Sequence, residues 1–178
     1  LLLALLPVQS VAQEGSILPT LYYSVSALPV AAGETGVTPV VLTEEDIARS
    51  AQRSLPLVLA QQAGVAASQR GPLGSSAELR LRGLGGGYIG ARLDGIDITD
   101  PTGIHVGLNF GQITSFGIDR AEILRGSQSA VHGSEAIGGV VTLSTFRPQS
   151  QGLSGASRAE IGSHASVASS VALGYLDD

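Results

Sequence analysis

Glycine breaks this chain wherever polar and apolar residues alternate. From Gly64 onward the apolar positions recur every second residue: Leu79 and Leu81 alternate with Glu78, Arg80 and Arg82, and Ile96 and Ile98 with Asp97 and Thr99. Such alternation marks half-buried strands. The 24 glycines among 178 residues supply reversals between them. One group, Gly85-Gly-Gly-Tyr-Ile-Gly90, has the G-x-G-x-x-G spacing of a dinucleotide site. That site needs a helix after its last glycine, because the helix N-terminus holds the pyrophosphate. Gly90 leads instead into Ala91-Arg-Leu-Asp-Gly-Ile-Asp-Ile98 and then Asp100-Pro101, which are strand residues, a turn and a breaker. The glycines are therefore expected to make a tight connection between two strands, and no nucleotide binding is expected.

Net charge is -5, with no basic stripe, so nucleic acid is not an expected partner. Charged residues are 14 %, low for a soluble domain. Cysteine is absent, which excludes a disulfide framework. The chain starts with Leu and has no methionine, so it is expected to be a fragment or a processed product. The apolar run Leu1-Leu-Leu-Ala-Leu-Leu6, followed by small residues at Ser10 and Ala12, has the pattern of a secretion-signal remnant over residues 1–12. Residues 13–39 carry prolines and few charges and are expected to form an extended arm.

Within residues 40–148, Val40-Val-Leu42 predicts a short strand. Thr43 then caps a helix over residues 44–51, with Asp46 three residues on. Ser54 is expected to cap a second helix, with Pro56 in its first turn and Gly64 as its stop. Ile118-Asp-Arg-Ala-Glu-Ile-Leu-Arg125 reads as a strand, residues 127–132 as one helical turn, and Gly138-Gly139 as the turn feeding Val140-Val-Thr-Leu143. Residues 149–178 begin like a linker. Then Ala159 and Ile161 alternate with Arg158 and Glu160, and Val167, Ser169, Val171, Leu173 and Tyr175 share one face. Two such strands fit the start of a transmembrane β-barrel, or nearly as well a soluble hairpin.

Catalytic chemistry is not evident. His105, His132 and His164 lack ligand spacing, and a lone loop histidine is ordinarily solvated. Asp94, Asp97 and Asp100 fit a calcium loop poorly and read as turn residues beside Gly95 and Pro101. No metal site, cofactor or enzymatic activity is expected.

The order of segments resembles the plug domain of TonB-dependent outer-membrane receptors, most of all the cobalamin-transporter branch. The matching stretches are Val41-Leu-Thr-Glu-Glu-Asp-Ile47, Leu55-Pro-Leu-Val-Leu-Ala-Gln-Gln-Ala-Gly-Val65, Leu79-Arg-Leu-Arg-Gly83, Leu93-Asp-Gly-Ile96 and Ile118-Asp-Arg-Ala-Glu-Ile-Leu-Arg-Gly126. Ser129-Ala-Val-His-Gly-Ser-Glu-Ala-Ile-Gly-Gly-Val-Val141 is the most specific. The resemblance implies an α+β plug with a small mixed sheet and short helices, followed by the first strands of a transmembrane β-barrel. It also implies the outer membrane of a Gram-negative bacterium. The implied task is gating the import of a bulky ligand such as cobalamin or a ferric siderophore. A secreted, soluble β-rich binding domain without a barrel is the alternative.

The resemblance also distributes roles. The periplasmic energy-coupling protein TonB would capture a segment of the arm, here Thr20, Leu21, Tyr22, Tyr23, Ser24 and Val25, with two tyrosines where aliphatics are usual. Plug loops facing outward would floor the ligand site: residues 69–76, 84–88 and 101–109, with Arg70, Ser75, Ser76, Leu84, Gly86, Tyr88, Thr102 and His105 as candidates. Arg82 and Arg125, each at a strand end before glycine, would latch the plug to acidic groups on the barrel wall. Glu122 would be their local alternative partner.

Overall fold

The computed structural model describes residues 22–23, 30–31, 39–102, 107–148, 150–162 and 166–177. Strands β1 (Tyr22–Tyr23) and β2 (Val30–Ala31) pair antiparallel. Strand β3 (Val40–Thr43) runs directly into helix α1 (Glu44–Arg49). The reversal is made by a capping box: Thr43 Oγ1 accepts from the Asp46 N–H at 3.3 Å, and Asp46 Oδ2 accepts from the Thr43 N–H at 3.1 Å. The Thr43 N–H, then its hydroxyl, hold the Asp46 carboxyl below the usual carboxylate range. The helix ends two residues before the expected Ala51, which takes a φ of 53° that helical hydrogen bonding cannot continue through.

Helix α2 (Leu55–Leu59) carries Pro56 in its first turn, as expected. The expected Ser54 cap is not made. Ser54 Oγ donates to Gln69 Oε1 at 2.7 Å, and the Leu55 N–H goes to the Ile113 carbonyl at 3.2 Å. Tertiary partners have replaced the local cap. Strands β4 (Val65–Gln69), β5 (Ala77–Leu81) and β6 (Leu84–Gly85) form an antiparallel sheet, and the alternation holds: Leu79 and Leu81 are buried while Glu78 and Arg80 face out.

A second sheet has the order β3-β9-β10-β7-β8, with β7 (Ile89–Leu93), β8 (Ile96–Asp97), β9 (Ile118–Arg125) and β10 (Gly139–Thr145). Only β7 and β10 run parallel, so the sheet is mixed. On one face, Ala121, Ile123, Val141 and Leu143 join Leu42, Ile47, Leu55, Leu59, Leu79 and Leu81 in one core. Each such aliphatic side chain, fully buried, contributes about 1.5–3 kcal/mol. The other face pairs a small cluster, Leu124, Ala136 and Val140, with buried Glu122 and Thr142. Strand β10 begins at Gly139, with a φ of 146°. A side chain there would strike the Leu124 carbonyl and come within 2.8 Å of Leu81. His132 ends the short helix α3 (Ser129–His132) and is only 7 % exposed. Expected to be solvated, it is instead folded inward by the turn at Gly133.

The exit from the sheet is clamped. Asp94 and Gly95, both at positive φ, make the two-residue turn between β7 and β8. The Asp94 carboxylate accepts from the Thr145 N–H (3.0 Å), the Thr145 hydroxyl (2.6 Å) and Arg147 Nη2 (3.2 Å). Burial pushes the Asp94 carboxyl up, but these donors together outweigh it and hold it below the usual range. Nearby Asp119 is pushed the other way, first by burial and then by the charge of Glu44.

Strands β11 (Gly152–Gly162) and β12 (Ser166–Leu176) then pair in register along their length. Their inner face lies on the sheet domain. The Arg158 guanidinium stands 5.0 Å from the Phe116 ring centroid, Arg53 Nε lies 3.5 Å from Glu160 Oε1, and a side chain at Gly174 would strike Pro148. The outer face presents Leu153, Ile161, Val167, Val171, Leu173 and Tyr175, each 67–84 % exposed. A face of this composition suits lipid.

Two expectations follow. Because the folded carboxyl of Asp119 is raised above its unfolded value of 3.8, its contribution is fully present below that pH and is lost as pH rises through the folded value. Asp119→Asn should therefore raise the Tm at pH 7 and give no gain well below pH ~4, read by thermal melts at both pH values. If the exposed row of β12 meets lipid, Val171→Arg in its middle should cost about 2–4 kcal/mol in urea unfolding of the full-length protein in liposomes, and no such loss is expected of a soluble hairpin.

Candidate functional site

Three of the loops singled out from the sequence meet at one place. A cleft of about 260 Å³ is lined by Ser76 to Leu79, by Gly86, and by Gly107 to Phe110. The loops touch backbone to backbone. A Cβ on Gly107 would sit 3.3 Å from the Gly86 carbonyl oxygen, and one on Gly111 would strike the Ser75 carbonyl. Asn109 holds the junction: its Oδ1 accepts from the Ala77 N–H at 2.9 Å and the Gly111 N–H at 3.1 Å. Asp100 and Gly107 bridge to each other and close the base of the third loop. Inside that loop, Thr102 donates to Asp100 from its hydroxyl (2.6 Å) and its N–H (2.8 Å), which lowers the Asp100 carboxyl. Asp97 accepts the same pair of bonds from Thr99. These aspartates are occupied as turn residues.

Ser76 and Gly86 thus line the cleft. The Arg70 N–H donates to the Ser76 carbonyl at 3.0 Å, and Ser75 packs against Gly71 and Gly111, so both belong to the adjoining loop. Leu84 and Tyr88 stand elsewhere: they flank Gly138, whose added Cβ would meet the Tyr88 carbonyl at 2.9 Å and Leu84 Cβ at 3.1 Å. His105 lies outside the described residues. Gly90 belongs to β7, so the glycine fingerprint is followed by a strand and lacks the helix a dinucleotide requires.

The two arginines come together, but differently from the expectation. Arg125 ends β9, and its Nη1 donates to the Ala63 carbonyl at 2.8 Å. Arg82 is not a strand end. With a φ of 51° it opens the two-residue turn between β5 and β6, and its N–H donates to the Gly64 carbonyl at 2.8 Å. Both side chains flank Gly64. Glu122 pairs with neither. Its Oε1 accepts from Arg120 Nε at 2.7 Å, because alternate residues of a strand share a face. In the arm, Tyr22 and Tyr23 form β1, whereas Thr20, Leu21, Ser24 and Val25 lie outside the described residues.

Comparison with known proteins decides what this arrangement is. A family model described as the TonB-dependent Receptor Plug Domain matches residues 32–140. The chain belongs to that family. Relatives include the Vitamin B12 transporter BtuB of Vibrio cholerae serotype O1, strain ATCC 39541, 34 % identical over 139 residues. That match takes 75 % of this chain and 22 % of the transporter. BtuB of Vibrio vulnificus is 32 % identical over 110 residues, 62 % of this chain and 18 % of that protein. The chain therefore spans about a fifth of the length of these relatives. In fold it is similar to the pyoverdine outer membrane receptor FpvA of Pseudomonas aeruginosa PAO1, with TM-score 0.65 and 19 % identity over 84 % of this chain and 21 % of that one. It is thus an outer-membrane plug domain of the Gram-negative type, with the mixed sheet and short helices of that family, followed by the paired strands β11 and β12.

Sequence reasoning missed four side chains that organise the plug. Asn109 closes the flagged loop 101–109, but nothing in the sequence marks it as the cap of a short 3₁₀ turn. Gln69 lay in a flagged loop without a role. Arg53 and Glu160 gave no sign of pairing across 107 positions. Since Gly111 lies against the Ser75 carbonyl with no room for a Cβ, Gly111→Ala should part residues 75–77 from residues 109–111. The measurement is a thermal melt of the full-length protein, whose Tm should fall as a destabilisation of about 1–3 kcal/mol would lower it.

Proposed function

We propose that this chain is the gating plug of an outer-membrane importer for a scarce, bulky ligand, a cobalamin or a ferric siderophore, energised through TonB. The observation that carries the reading is the junction between plug and hairpin. One face of the hairpin packs on the plug through Arg53–Glu160 and Arg158–Phe116, while its other face is a row of exposed apolar side chains suited to lipid. A soluble binding module has no use for that row.

In this reading the three-loop cleft is part of the ligand floor. Gly86 and Gly107 let backbone groups approach a large ligand closely. Residues 13–39 are the arm, and the segment around Tyr22–Tyr23, already extended, is offered to TonB by strand addition, where main-chain hydrogen bonds supply affinity. Arg82 and Arg125, side by side at Gly64, latch the plug within the lumen, while Glu122 is held apart on Arg120. Ligand must favour one plug state over another for its arrival to be signalled. No catalytic role is assigned.

Deleting residues 20–27 from the full-length receptor tests the handle. Uptake of radiolabelled ligand by whole cells should vanish while binding to isolated outer membranes persists. Unchanged uptake defeats the assignment.

A further inference from the structure

A second cleft, of about 450 Å³, opens between the plug and β11 and is lined by Arg53, Ser54, Gln69, Leu73 and Glu160 among others. Gln69 is the last residue of β4, and its carboxamide sits inside the loop that follows. Its Nε2 donates to the Gly71 carbonyl at 3.0 Å and the Pro72 carbonyl at 2.9 Å, and its Oε1 accepts from Ser54 Oγ at 2.7 Å. Both amide donors are used within the loop and an acceptor site outside it. The loop closes around this amide through Arg70 N–H to Ser76 and Ser75 N–H to Pro72, each 3.0 Å.

Ser54 leads straight to the barrel strand. It is 4 % exposed, and its neighbour Arg53 reaches Glu160 of β11. The segment between has little slack. The Ser115 N–H donates to the Arg53 carbonyl at 2.9 Å, the Leu55 N–H to Ile113 at 3.2 Å, and Ser115 Oγ to the Gln52 carbonyl at 2.6 Å. Charges that are each only 25–29 % exposed are screened less than a surface pair.

We propose that Gln69 is a positioning residue: it locks residues 70–76 to residues 53–55, which Arg53 ties to Glu160, so the shape of the loop depends on the plug being docked against the first barrel strand. For its consequence in transport this rests on the loop facing ligand, as proposed above. Coupling of this kind is reciprocal. A ligand that tightens the loop strengthens the docking of Arg53 on Glu160, and a loosened docking frees the loop.

These 178 residues contain no cysteine, and any cysteine elsewhere in the full-length receptor is replaced by serine so that single labels are clean. Leu73→Cys, at a half-exposed loop position, reports on the loop, and Ile96→Cys on distant β8 is the reference. Spin labels are read by EPR in the full-length receptor in liposomes, with no ligand added. Gln69→Glu preserves side-chain size and the acceptor for Ser54 but removes both donors to the loop. It should raise the mobility of the Leu73 label several-fold and leave the Ile96 label unchanged, and Gln69→Ala should do the same. Glu160→Gln, on the wall, should raise loop mobility in the same direction. An unmoved loop label in Gln69→Glu overturns the lock. A response to Gln69→Glu but none to Glu160→Gln overturns the link to the wall. Loosening at both label positions also overturns it, because a lock confined to this loop does not reach β8. Binding of cyanocobalamin and of a ferric catecholate to the parent is measured separately; if neither binds, the transport reading fails and the loop result stands.

Discussion

The β9–β10 pairing is the constraint on which the rest of this plug depends. It runs from Gly139 opposite Arg125 to Thr145 opposite Ile118, at the centre of the mixed sheet. It starts where Gly139 lies against the Leu124 carbonyl, a contact no other residue type would permit. One face of the pair gathers α1, α2 and the three-stranded sheet into a single apolar core. The other face is largely polar. By register, Glu122, Thr142, Arg92 and Asp97 form a row across β9, β10, β7 and β8. Glu122 and Thr142 in that row are only 4 % and 6 % exposed, so both faces of the sheet are covered, one by apolar and the other by largely polar packing.

Much of this was legible in the sequence where the physics is local. Period-two alternation identified Leu79 and Leu81 as buried, and the outward row of the last hairpin from Val167 to Tyr175. The Thr43–Asp46 capping box was readable because both partners lie within one turn. The failures share a cause, which is a partner chosen by the fold. Ser54 gives up its helix cap for Gln69, fifteen positions away. Arg82 leaves its strand because the turn begins one residue early, at a positive φ that arginine rarely adopts. Glu122, placed among arginines by sequence, is buried beside Arg120 because strand geometry puts those two on one face.

The candidate site shows the same division. The loop ranges could be drawn from glycine and proline, yet their convergence depends on Asn109 accepting from backbone groups of two different segments. One asparagine in a loop carries no mark of that task. Leu84 and Tyr88, drawn in the same range as Gly86, turn away from the cleft because the short 3₁₀ turn at residues 86–88 separates the faces on which they sit.

All ten basic residues of the chain are arginines, and their contacts explain why lysine would serve poorly here. Arg125 donates to a backbone carbonyl, Arg158 stacks on an aromatic ring, Arg53 and Arg120 meet carboxylates at partly buried positions, and exposed Arg147 meets half-buried Asp94. A guanidinium gives up its hydration more readily than an ammonium and presents several donors in a fixed plane. It therefore satisfies directional partners at the partly exposed boundary of the domain. Except for Arg120 and Glu122, which pair within β9, these contacts join separate segments, so the set divides the plug's contacts into those within it, such as Arg125 to Ala63, and those to the hairpin, such as Arg53 to Glu160. A plug that must be held firmly and still be released is served by contacts of the second kind being few, oriented and polar: burying an apolar interface of equal size against the wall would cost far more to open.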